Sequence, residues 1–246
     1  MEARFEFPIA RQPDEVSCGP TCLHAVYEYY GDEEPIEAIT AEVEMLREGG
    51  TLSVLLGLHA LGRGYRATLF SYNLAVFDPT WADLPAGELR GRLAEQALVR
   101  REPKRRRAIL SYVDFLDAGG RIRFDELSGK LLRRHLDRGR PILTGLSASY
   151  LYRRPRELPE GGDDDLRGEP AGHFVVLCGY DRASRQVLVA DPLHPNELSH
   201  EGTYAVGLDR LIGAILLGVL SYDGNLLIIE PGAIEPQRIK SSDRRP

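Results

Sequence analysis

Four side chains in this 246-residue sequence have the types and spacing needed for nucleophilic chemistry on a carbonyl: Gln12, Cys18, His173 and Asp191. Cys18 stands in "QPDEVSCGPTCLHAVYEYYG" (12–31), where an amphipathic helix begins. A thiol there is either an ordinary buried side chain or a nucleophile. The helix N-terminus favours an anion, because first-turn N–H groups are unpaired and the peptide dipoles add up there. A nearby imidazole would complete the activation by forming a thiolate–imidazolium pair.

His173 opens the apolar strand of "GHFVVLCGYD", just after a loop rich in Gly, Pro and acids (153–172). Asp191 ends "QVLVADP", a second apolar strand joined to the first by a short turn. In an antiparallel hairpin the start of one strand lies beside the end of the other, so the two residues meet without any long-range assumption. A carboxylate there would hold the ring in the right tautomer. Attack on an amide also creates an oxyanion that needs donors. The Cys18 N–H is one; the Gln12 side-chain amide, six residues upstream, is a candidate second.

These residues must be positioned by elements that the pattern predicts. Cys22, Val26 and Tyr29/Tyr30 follow Cys18 at helical spacing, with Ser17 as N-cap and Gly31 as C-cap. Further helices are expected at 35–47, 52–61, 125–138 and 207–217, and strands at 65–72, 141–147, 173–181, 186–192 and 225–231. Helices come first and strands dominate later, which predicts an α+β fold. Residues 73–165 carry no motif with an assignable role. We expect one domain over 1–235 and a disordered tail over 236–246.

Composition narrows the function classes. Net charge is −6 with 43% hydrophobic and 28% charged residues, so the chain has no bulk attraction to nucleic acid or anionic lipid. Its longest apolar run, Ala214–Leu220, is far below the roughly 20 residues of a membrane-spanning helix, and the N-terminus lacks a signal-peptide pattern. Three cysteines, Cys18, Cys22 and Cys178, do not make a disulfide framework; as thiols they fit a cytoplasmic location. Cys22 and Cys178 are expected to be buried filler, and paired metal-ligand spacings are missing. The basic run 100–107 and the acidic runs 31–44 and 161–169 are expected to be solvated surfaces.

The motifs carry a resemblance. "QPDEVSCGPTCLHAVYEYYG" with "GHFVVLCGYDRASRQVLVADP" resembles the bacteriocin-processing, double-glycine leader peptidase family of papain-like cysteine peptidases, in its stand-alone bacterial form without transporter domains. Gln12, Cys18, Gly19, Leu23 and Tyr29-Tyr30-Gly31 match that pattern, as do His173 to Val176 and Ala190 to Pro192. The resemblance implies a papain-like fold, with a helical half bearing the nucleophile and an antiparallel sheet half bearing His and Asp. It also implies a cysteine peptidase that needs no cofactor or metal, acts on a peptide or protein substrate, and uses Cys18, His173, Asp191 and Gln12. The same residues could serve an acyl or amide transferase of transglutaminase-like type, or remain in an inactive peptide-binding relative.

Overall fold

The computed structural model describes residues 3–4, 6–46, 49–221 and 224–232. The tail expected at 236–246 lies outside them.

The first helix, α1 (Cys18–Tyr29), starts at the candidate nucleophile. Pro20 sits in its first turn, where a missing N–H costs nothing. Gly31, at φ +83°, takes the left-handed position after the helix. Its N–H donates to the Glu28 carbonyl at 3.0 Å and that of Asp32 to the Tyr27 carbonyl at 3.0 Å, the paired closure that a glycine at this position permits. Ser17 precedes the helix as expected but does not cap it: its hydroxyl donates to the Asp14 carboxylate instead.

Helices α2 (Ile36–Glu42), α3 (Ser53–Gly62), α4 (Ala86–Val99) and α5 (Pro103–Asp117) complete the helical half. Helix α2 is shorter than the pattern at 35–47 suggested, because Val43 turns to extended backbone at φ −66°, ψ 125°. Helix α5 begins inside the basic run, with Pro103 at its first position. Later come α6 (Gly129–Leu136), α7 (Ala148–Tyr152) and α8 (Leu208–Leu217).

The strands are β1 (Ala3–Arg4), β2 (Arg66–Ser71), β3 (Arg121–Arg123), β4 (Ile142–Ser147), β5 (Gly172–Asp181), β6 (Gln186–Ala190), β7 (Thr203–Gly207) and β8 (Asn225–Glu230). They form one sheet in the order β3-β2-β8-β4-β5-β6-β7, with β1 added to β5. Every pairing is antiparallel except β2–β3. The expected α+β class is borne out, as is the β5–β6 hairpin.

Both sheet faces are covered, which helices-then-strands order did not foretell. On one face Val176, Cys178, Leu227 and Ile229 pack with α1, α3 and α5 through Leu23, Leu56 and Phe115. On the other, Val175, Leu177, Val189 and Ile228 pack with α6 to α8 through Leu132, Leu151 and Leu211. Strand β5 therefore reads as a continuous apolar run, since both faces of its two-residue alternation are buried.

Candidate active site

Cys18 heads α1, which packs on β5, and is 9% exposed at the floor of a hollow of roughly 180 Å³. The hollow is bounded by Leu46, Gly49, Gly50 and Thr51 on one side and by Gly145, Leu146, Gly172, His173 and Phe174 on the other. Gly49 and Gly50 both have positive φ, +91° and +73°, so the rim turns where side-chain-bearing residues would be strained. Gly19 brings α1 close to this rim: a Cβ on it would stand 2.6 Å from Thr51 Cγ2.

His173 lies at the start of β5, buried at 6% exposure. Its Nε2 is 2.8 Å from Asp191 Oδ1, and it lines the same hollow as Cys18. The hairpin register puts Val176 opposite Ala190, so the residue after β6 returns to the start of β5 as the sequence suggested. Burial works against a charged imidazole here, but the hydrogen bond to Asp191 and the neighbouring Cys18 outweigh it and raise the His173 pKa to about 10. Asp191 is fully buried. Burial pushes its carboxyl up, while hydrogen bonds from His173, Tyr152 and Tyr204 prevail and hold it below its ordinary value.

Gln12 is held beside the same strand end, its N–H donating to the Pro192 carbonyl at 2.9 Å. Its Nε2 donates to the Asp14 carbonyl at 2.8 Å. Gln12 lines a second hollow, of roughly 280 Å³, on the other side of His173. Arg154, Glu157 and Gly161 to Asp163 from the loop before β5 wall this hollow, and Gly172 and His173 belong to both. His173 thus bonds Asp191 and faces both hollows, one shared with Cys18 and the other with Gln12, which does not line the Cys18 hollow.

Cys22 packs one turn beneath Cys18, with its Sγ 3.3 Å from the Phe174 carbonyl. Burial, then the neighbouring Cys18 and Asp191 charges, push its pKa well above the ordinary thiol range. Cys178 is buried within β5. All three cysteines are free thiols, and among the described residues no group of three His, Cys, Asp or Glu could hold a metal ion.

Three contributors to this site escaped the sequence reading. Tyr204 and Asn196 both reach Asp191, and nothing in their spacing sets them apart from a half-buried strand and a loop. Lys104, from the basic run expected to be solvated, lines the Cys18 hollow. Elsewhere in that run Arg107 does pair at the surface, with Glu44. A more open hollow at Lys130, Arg133, Arg182 and Arg185 lies at the far end of β5, and no cysteine, histidine or carboxylate is among the residues that line it.

Comparison with known proteins now bears on this geometry. Residues 115–210 match the Peptidase_C39 like family. This is the kind of family that the sequence motifs resemble, and the matched stretch contains His173 and Asp191. The chain is also similar to solved structures. One is a double glycine motif protease from an AMS/PCAT transporter in complex with the leader peptide, at 14% identity and TM-score 0.45, covering 93% of this chain and 94% of that one. Another is a C39-like peptidase from Bacillus anthracis, at 14% identity and TM-score 0.47, covering 94% and 99%. A third is xylellain, a cysteine protease from Xylella fastidiosa, at 14% identity and TM-score 0.42, covering 94% and 85%. No curated protein matches the sequence. The matched stretch does not include Cys18 or Gln12; a helix-borne thiol packed against a largely antiparallel sheet is the arrangement that the sequence resemblance implied. No helix among the described residues is long and apolar enough to cross a membrane.

Proposed function

We propose that this protein is a cysteine hydrolase that cleaves a peptide or amide bond through a thioester on Cys18. The reading is carried by one observation: a helix-start thiol shares one hollow with a buried imidazole whose Nε2 is 2.8 Å from a buried carboxylate.

The Cys18 thiolate attacks the substrate carbonyl carbon. The oxyanion is stabilised by the Cys18 N–H, unpaired at the helix start, and by the Gln12 side-chain amide once it leaves Asp14. The tetrahedral intermediate collapses as the His173 imidazolium protonates the departing amine, leaving a thioester and a neutral imidazole. His173 then takes a proton from water, the resulting hydroxide attacks the thioester, and the carboxylic acid leaves as thiolate and imidazolium are restored. Asp191 keeps the ring aligned throughout. The reaction draws only on these side chains and water.

The two hollows flanking His173 suit an extended chain. The acyl portion, covalently attached to Cys18, occupies the hollow that Cys18 lines. The leaving amine occupies the hollow beside Gln12, where His173 can protonate it. The substrate is a peptide or protein segment, in keeping with the leader peptide bound by one structural neighbour. Residues 1–235 act as one peptidase unit, and three free thiols suit the reducing cytoplasm. Peptide-library hydrolysis by the wild type and by Cys18→Ala tests the reading: the variant must lose turnover while retaining its fold, and undiminished hydrolysis by it would refute the proposal.

A further inference from the structure

Asp191 is saturated in a way that the reaction itself does not require. Oδ1 accepts from His173 Nε2 at 2.8 Å and from the Leu193 N–H at 2.9 Å. Oδ2 accepts from the Tyr152 hydroxyl at 2.6 Å, the Tyr204 hydroxyl at 2.7 Å and Asn196 Nδ2 at 3.4 Å. A carboxylate has about four lone-pair sites, so none remains for water. The two phenols come from separate elements, helix α7 and the edge strand β7; both join the core on the second sheet face and each is almost fully buried.

We propose that Tyr152 and Tyr204 are positioning residues that clamp Asp191 Oδ2, so that Oδ1 stays on His173 and the carboxylate stays ionised at acid pH. The clamp rests on the peptidase reading for its purpose, but not for its geometry. A buried carboxylate pays heavily for its charge unless donors surround it. Two phenols supply donors without supplying a counter-charge, so among the described residues the imidazolium is the only cation bonded to the carboxylate. Burial and then the Asp191 charge push both phenols far above their ordinary pKa, so neither gives up its proton over any working pH. They therefore donate permanently, whereas a histidine or lysine in their place would titrate.

The groups that face this cluster can be told apart. Cys18 and Cys22 approach from α1 and His173 from β5. Arg154 lies over the Tyr152 ring at 5.6 Å, and Arg210 of α8 bears on Tyr204. Arg210 also donates to the Leu151 carbonyl, which ties α8 to α7 next to Tyr152.

Loss of a donor to a carboxylate raises its proton affinity. It does not weaken the pull of that carboxylate on the imidazolium. Tyr152→Phe and Tyr204→Phe should therefore each move the acid limb of the pH–kcat profile upward by about one unit, so that kcat falls by up to about tenfold on that limb and little at pH 7, with KM little changed. The alkaline limb, set by His173, should not fall. The same acid shift should appear in the pH profile of Cys18 alkylation by iodoacetamide, which needs no substrate. An alkylation profile identical to wild type in either folded variant would overturn the clamp; should one variant fail to fold, the other decides. Activity surviving in Cys18→Ala would instead sink the peptidase reading, and the alkylation shift would still report on the clamp.

Discussion

His173 Nε2 lies 2.8 Å from Asp191 Oδ1, and the chain between them is a single hairpin. This contact, with the neighbouring Cys18, outweighs burial and raises the imidazole to about pKa 10. A raised pKa means that the protonated ring is present below that value and lost above it. Hydrolysis should persist well above the ordinary histidine range and fall as pH rises through about 10. In Asp191→Asn the alkaline limb should drop toward 6.5, and kcat should fall roughly 10²- to 10⁴-fold. A pH–rate series on both proteins measures this.

The Gln12 amide is engaged with the Asp14 carbonyl in the free protein, so its contribution belongs to the transition state. Gln12→Ala should lower kcat about 10²- to 10³-fold with little effect on KM. Steady-state kinetics would show the split; a loss confined to KM would assign Gln12 to ground-state binding instead.

The hairpin was legible because its apolar runs are continuous and its turn is short, and that alone fixed His173 against Asp191. The start of α1 was legible because Ser17, Cys18 and Pro20 precede a clean helical repeat. Helices α4, α5 and α7 were not, since they carry no chemistry, and although α1, α3, α6 and α8 were expected as helices, nothing in the sequence told which sheet face each would cover. The Asp191 clamp was hidden for a related reason. Tyr152 and Tyr204 are far apart in sequence, and aromatic residues in helix and strand usually signal packing. Lys104 was masked by its neighbours: in "RREPKRRR" nothing distinguishes the side chain that reaches the cleft from those that pair at the surface.

Stability should carry its own pH signature, from His135 on α6. Burial, and then Arg140, Arg134 and Arg138, lower its pKa from 6.5 to about 4, and it packs edge-on to Phe70 at 5.4 Å. Here the folded pKa lies below the unfolded one, so the neutral ring favours the fold above pH 6.5 and that advantage disappears as pH falls toward 4. After allowance for solvent screening the loss should be about 2 kcal/mol. Urea titrations from pH 7 to 4.5 would show it, and His135→Leu should flatten the slope over that window.

The account stands or falls on which sulfur reacts. Cys22 and Cys178 are at most 1% exposed, while Cys18 opens into the hollow beside His173. Treatment with a peptidyl vinyl sulfone at pH 7, followed by intact-mass and peptide-mapping spectrometry, tests this directly. The predicted result is one adduct per chain on Cys18, lost in His173→Ala. An adduct spread over all three thiols, or one on Cys18 that forms at the same rate without His173, would contradict the thiolate–imidazolium pair.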